Sequence, residues 1–127
     1  MDALMRALVL TVGLMVAACA GPVAPPGDAS ASLTAGRVAG PPQSCVSSQS
    51  TDGLHAIDSA TLAYGSGRTI YINRLGGSCP GLRELSTIIV DVHGGQYCRG
   101  DHIRALEPGA IIPGPTCNLG DWVPYRR

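Results

Sequence analysis

The sequence predicts an all-β domain: a small sandwich or partly open barrel of about five to six short strands, stapled by disulfides and following a signal peptide and a disordered tether. Three observations lead there. Apolar residues come in short β-branched runs cut by Gly and Pro, with almost nothing at helical spacing. Arg68-Thr69-Ile70-Tyr71-Ile72-Asn73 alternates apolar and polar positions, as a half-buried strand requires. Four cysteines lie beyond residue 44 in a stretch too short to rely on its core alone.

The N-terminus reads as an export signal over residues 1–18. Residues 7–18 are an apolar run too short for a membrane-spanning helix, which needs roughly 20 residues, but right for a signal-peptide core. Arg6 supplies the positive charge ahead of it; Asp2 is out of place there, and initiation at Met5 would give a cleaner signal. Val16-Ala17-Ala18-Cys19 resembles the lipobox of bacterial lipoproteins, in which two small residues admit the peptidase and the cysteine thiol takes the diacylglycerol. An ordinary signal peptide with an incidental Cys19 is the alternative. Position, spacing and the Gly/Pro-rich stretch that follows favour a lipoprotein, with palmitate-type acyl chains at Cys19 as its membrane anchor. Ala20 stands where Asp would direct retention at the inner membrane. The expected location is therefore the outer membrane facing the periplasm, with the inner membrane and the cell surface as alternatives.

Residues 19–44 hold Pro, Gly, Ser and Ala throughout, carry only Asp28 and Arg37 as charges, and show no apolar period. Such a composition buries too little apolar surface to offset its ordering entropy, so a flexible linker is expected, with the folded domain at 45–127.

Within 45–127, Thr61–Tyr64 and Arg68–Asn73 flank Gly65-Ser66-Gly67 and read as a β-hairpin. Thr87–Val92 is the clearest strand; His93-Gly94-Gly95 should turn it into a second hairpin that returns at Gln96-Tyr97-Cys98, and His102–Leu106 resumes as strand. Pro80–Leu85 has room for one helical turn at most. From Pro113 to Arg127 the chain reads as a loop that wraps back, with Trp122, the single Trp of a Phe-free chain, plugging the core. Cys45, Cys79, Cys98 and Cys117 make an even set in an oxidising compartment, hence two disulfides, among three possible pairings.

Several of these segments together resemble a family of small exported proteobacterial proteins, many of them lipoproteins, whose shared domain has no assigned function. The matching pieces are Arg68–Asn73, Cys79-Pro80-Gly81-Leu82, Cys98-x-x-Asp101-x-Ile103, and Cys117-x-Leu119-Gly120 followed by an aromatic residue and Pro124. They span nearly all of 45–127. Tyr64 and Trp122 stand where the pattern would carry Phe. The resemblance implies a small exported domain and carries no catalytic residue across.

Chemistry is sparse. Gly65-Ser66-Gly67 lacks the G-x-S-x-G spacing of a nucleophile elbow, and no C-x-x-C, H-E-x-x-H, P-loop or dinucleotide fingerprint is present. Nine basic and nine acidic residues balance, which points away from nucleic acid. Cys98, Asp101 and His102, with His93 nearby, offer the one ligand-like cluster, although Cys98 serves better as half a disulfide and Asp101 as a turn residue. Tyr71, Tyr97 and Tyr125 could replace the missing Phe in the core or form an aromatic surface. The expectation is a non-enzymatic, lipid-anchored binding or envelope-structural module, without cofactor or metal, whose partner is an envelope protein, glycan or lipid. The alternative is a small envelope enzyme or metal-handling protein using Cys98, Asp101 and His102.

Overall fold

The computed structural model describes residues 28–50 and 52–127; the signal 1–18, Cys19 and the first part of the linker lie outside them. One short helix, α1 (Asp28–Thr34), precedes ten strands: β1 (Val38–Ala39), β2 (Cys45–Ser47), β3 (His55–Asp58), β4 (Thr61–Tyr64), β5 (Thr69–Arg74), β6 (Thr87–Val90), β7 (Gln96–Cys98), β8 (His102–Leu106), β9 (Cys117–Asn118) and β10 (Trp122–Arg126). They form three antiparallel sheets, ordered β1-β10-β5-β4-β3, β2-β7 and β6-β8-β9, which do not close into a barrel. The all-β class holds, with more and shorter strands than expected.

The hairpin around Gly65-Ser66-Gly67 forms as the alternation requires. β4 pairs with β5 from Thr61↔Arg74 to Tyr64↔Tyr71, and Gly65 and Gly67 take positive φ in the loop. Both faces of this hairpin are covered. Leu62 and Tyr64 point into the main core with Val46, Ile103, Leu119 and Trp122, which all three sheets enclose. Ala63, Ile70 and Ile72 point the other way and form a second, smaller cluster with Ile57 and Tyr125 on the outer face of the five-stranded sheet.

Trp122 does plug the core, as expected, and its indole Nε1 donates to the Tyr97 carbonyl at 3.0 Å. The segment around it is no loop, however. β10 lies between β1 and β5 inside the largest sheet, pairing with β5 from Trp122↔Asn73 to Arg126↔Thr69. Pro124 lacks an N–H and cannot donate to a ladder. The structure accommodates it: the Pro124 carbonyl accepts from Gly40 N, so the missing N–H falls on the β1 side, where that short ladder ends.

The linker boundary also moves. Residues 28–44, expected to be flexible, carry α1 and run along β10, through Val38↔Arg126, Ala39↔Tyr125 and the reciprocal backbone bonds of Gln43 with Trp122. Backbone hydrogen bonds hold this edge, and Val38 and Ala39 leave their side chains exposed. An edge strand of that kind needs no apolar period, so composition gave no sign of it. The second hairpin is corrected too. The turn at His93–Gly95 exists, closed by a His93↔Gln96 bridge, but β6 pairs with β8 and β7 crosses to β2.

Two disulfides staple the domain, Cys45–Cys98 and Cys79–Cys117. The first joins directly opposed residues of β2 and β7. A further clasp ties β5 to the approach of β10. The buried Asn73 amide donates Nδ2 to the Gly120 carbonyl and accepts at Oδ1 from the Gly120 N–H, each at 2.8 Å. Gly120 has no room for a side chain, since a Cβ there would stand 2.3 Å from the Arg74 carbonyl oxygen.

Candidate functional site

The residues singled out for metal chemistry do not assemble. Cys98 spends its sulfur on Cys45, so the thiolate donor of the Cys98–Asp101–His102 set is lost. Asp101 caps its own turn instead: Oδ2 accepts from the Cys98 N–H at 2.8 Å, and the Asp101 N–H donates to the Cys98 carbonyl at 3.0 Å. This is the turn role its position after Gly100 suggested. His93 Nδ1 stands 3.9 Å from Asp101 Oδ1 and is largely solvated, while His102 sits exposed on β8 opposite Asn118. Among the described residues no three His, Cys, Asp or Glu side chains are grouped to hold a metal ion.

The tyrosines divide between the clusters. Tyr64 is the hub of the main core, 5.4 Å from the Tyr97 ring in an edge-to-face arrangement and 6.1 Å from Trp122. Its hydroxyl donates to the Ser47 carbonyl at 2.7 Å and accepts from the Ser50 N–H at 3.1 Å. Tyr71 and Tyr97 pack half-buried against the same core, and Tyr125 against the outer cluster. They replace the missing Phe and do not form an aromatic surface. Burial, with Tyr64 adding to it, raises the Tyr97 phenol above its ordinary pKa of 10.0.

One concave surface lies on the outer face of the five-stranded sheet. A groove of about 510 Å³ runs there, floored by Ile57, Ala63 and Ile70 and walled by Leu33 of α1 and by Leu85. His55 and Glu84 bring the titratable groups to it. The volume falls within the range of small-molecule sites, roughly 300–1,000 Å³, and the floor is aliphatic, as such sites commonly are. The groove exists because β3, β4 and β5 carry apolar residues on the face turned away from the main core, and α1 covers only part of that face. The first half of this pattern is visible in the alternation of Ile70 and Ile72; the second depends on α1 folding back, which nothing in the linker composition signals.

A second groove, about 500 Å³, adjoins the first through Glu84 and Leu85 and continues past Arg83 to Glu107 and Pro108. Arg83 and Glu107 pair across it. Beyond Pro108 the chain turns through Ala110-Ile111-Ile112, and Ile111 and Ile112 are 90 % and 79 % exposed. Leu85, which lines both grooves, is 79 % exposed. Sequence reasoning had not marked these three residues; the signal available was an apolar pair bracketed by Pro108-Gly109 and Pro113-Gly114.

Two disulfides fit an oxidising, exported setting, and no helix among the described residues is long and apolar enough to cross a membrane. The chain matches no family model, no curated protein and no solved structure.

Proposed function

We propose that this chain is a lipid-anchored, periplasm-facing β domain that acts by binding, with the outer groove as its capture surface. The lipobox-like Val16–Cys19 and the resemblance to exported lipoproteins support the anchor and an outer-membrane location. The observation that carries the binding role is the groove itself: an aliphatic floor of Ile57, Ala63 and Ile70 between two walls, with His55 and Glu84 as polar handles. Its chemistry suits an acyl chain or the aliphatic side chains of an envelope protein better than a glycan, since no Tyr or Trp is among the described residues lining it.

The test has two arms. Radiolabelled palmitate should label the chain and fail to label Cys19→Ser. A dansylated fatty acid, used as a probe of the groove, should bind the purified chain with enhanced emission. Leu33→Asp and Leu85→Asp place a charge on each exposed wall without disturbing the core, and each should weaken that binding about tenfold or more. Equal binding by wild type and both variants would rule out the groove, and labelling of Cys19→Ser would rule out the anchor.

A further inference from the structure

Ile111, the most exposed large apolar side chain among the described residues, and Ile112, level with Leu85 behind it, contribute nothing to either core cluster. They sit at the apex of a turn whose base is firmly held. The Gly114 N–H donates to the Ala105 carbonyl at 2.8 Å and the Ala110 N–H to the Glu107 carbonyl at 3.0 Å. Gly114 presses so closely on the Pro80 carbonyl that a Cβ there would lie 3.0 Å from its oxygen. The Cys79–Cys117 disulfide ties the two segments just beyond, and Arg83 pairs with Glu107 at the foot of the turn. The apolar tip is thus presented in one geometry, and little ordering entropy remains to be lost when it is buried.

Its position matters as much as its exposure. Leu33 of α1 and Leu85 wall the same groove, and Leu85 and Pro108 line the next one. Leu33 of α1, Leu85 and Pro108, which opens the turn that carries the tip, therefore follow one another along the two grooves. Eight residues lie between Cys19 and Asp28, and the nine Cα–Cα steps reach at most about 30–32 Å fully extended. A lipid anchored at Cys19 keeps a membrane surface within about one domain diameter of these grooves. At the tip's foot Arg83 and Glu107 pair, and Glu84 is a further charge among the described residues of the second groove. The tip itself is aliphatic and carries no positive charge, which suits acyl chains and gives no attraction to anionic headgroups.

We propose that the Ile111–Ile112 tip inserts into the lipid surface that holds the N-terminus, as a second attachment that fixes how the domain lies on the membrane. A single lipidated terminus leaves orientation free; an apolar tip on the side of the leash removes that freedom. The proposal rests on the lipid anchor at Cys19, and the experiment separates the two.

The full chain is reconstituted into phosphatidylethanolamine–phosphatidylcholine vesicles whose acyl chains carry bromine, a contact quencher of tryptophan. Ile112→Trp places a fluorophore at the tip, while Trp122, buried in the core, reports that the fold is kept. Val38→Trp is the control, 75 % exposed on β1 at the edge of the five-stranded sheet opposite β3 and outside both grooves. Bromine should quench the added emission of Ile112→Trp by about half or more and leave that of Val38→Trp unchanged, at low and at high salt alike. No quenching at Ile112→Trp, or equal quenching at both positions, overturns the proposal. A blue shift of Ile112→Trp that grows with protein concentration in lipid-free solution would assign the tip to a second copy of this chain and overturn it as well. Intact mass of the same preparation reports acylation of Cys19. An acylated, vesicle-bound chain without quenching refutes the tip alone; an unacylated chain refutes the anchor, and with it the geometry from which the tip's membrane role is inferred.

Discussion

Removing the Asn73 side chain should destabilise this domain more than any other single polar truncation. Asn73 is fully buried, and its amide satisfies both the N–H and the C=O of Gly120 at 2.8 Å. Asn73→Ala leaves those two backbone groups facing a space lined by β5 and β10. A buried polar group stripped of its partner costs about 1–3 kcal/mol, so two of them, with some relief from entering water, amount to about 2–4 kcal/mol. For a domain of this size that lowers Tm by roughly 10–25 °C. Urea unfolding followed by the fluorescence of Trp122, with disulfides intact, reads the change directly. Asn73→Asp sharpens the test. It keeps an acceptor for the Gly120 N–H but turns a carboxylate oxygen towards the Gly120 carbonyl. Burial and that carbonyl raise the carboxyl's folded pKa above its unfolded value of about 3.9. Its contribution is then fully present below the unfolded pKa, where the protonated acid donates as the amide did, and is lost as pH rises through the folded pKa. Relative to wild type at each pH, Asn73→Asp should approach parity near pH 3.5 and fall behind towards neutrality. A loss below about 1 kcal/mol for Asn73→Ala, or a pH-independent deficit for Asn73→Asp, would show that the clasp does not carry this energy.

Three further outcomes follow from the same geometry. Gly120→Ala drives a methyl to 2.3 Å from the Arg74 carbonyl oxygen and should cost about 2–3 kcal/mol by urea unfolding, although it removes no contact. Loops of 53 and 38 residues are closed by Cys45–Cys98 and Cys79–Cys117. Chain entropy assigns them about 4.2 and about 3.9 kcal/mol, so paired Cys→Ala variants should lose comparable stability, up to about 4 kcal/mol each in thermal unfolding. Tyr97, whose phenol is held above 10.0 by burial and by Tyr64, adds stability that is complete below pH 10 and is lost as pH rises through its folded pKa. Ultraviolet titration should therefore show a phenol ionising above pH 10 that Tyr97→Phe removes, and the same substitution should flatten the alkaline loss of stability.

Sequence by itself determined the all-β class, the first hairpin, the role of Trp122 as core plug and the use of four cysteines in two disulfides. Each is written locally: period-two alternation in Thr69–Asn73, glycines at 65 and 67, one large aromatic, an even cysteine count. Tertiary structure decided the rest. It chose Cys45–Cys98 and Cys79–Cys117 among three pairings, and in doing so withdrew Cys98 from any metal site. It sent β7 to β2 and β6 to β8, because a short apolar strand can pair with several partners and only the shared core selects one. It placed β10 inside the sheet despite Pro124, by turning the missing N–H to the side where the β1 ladder ends. It also drew residues 28–44 onto the domain through backbone hydrogen bonds along β10, and with them the helix that walls the outer groove. A backbone ladder uses groups that every residue but proline carries in full, so it leaves no mark on composition, and a groove between α1, β3 and the Leu85 segment exists only once all three have met.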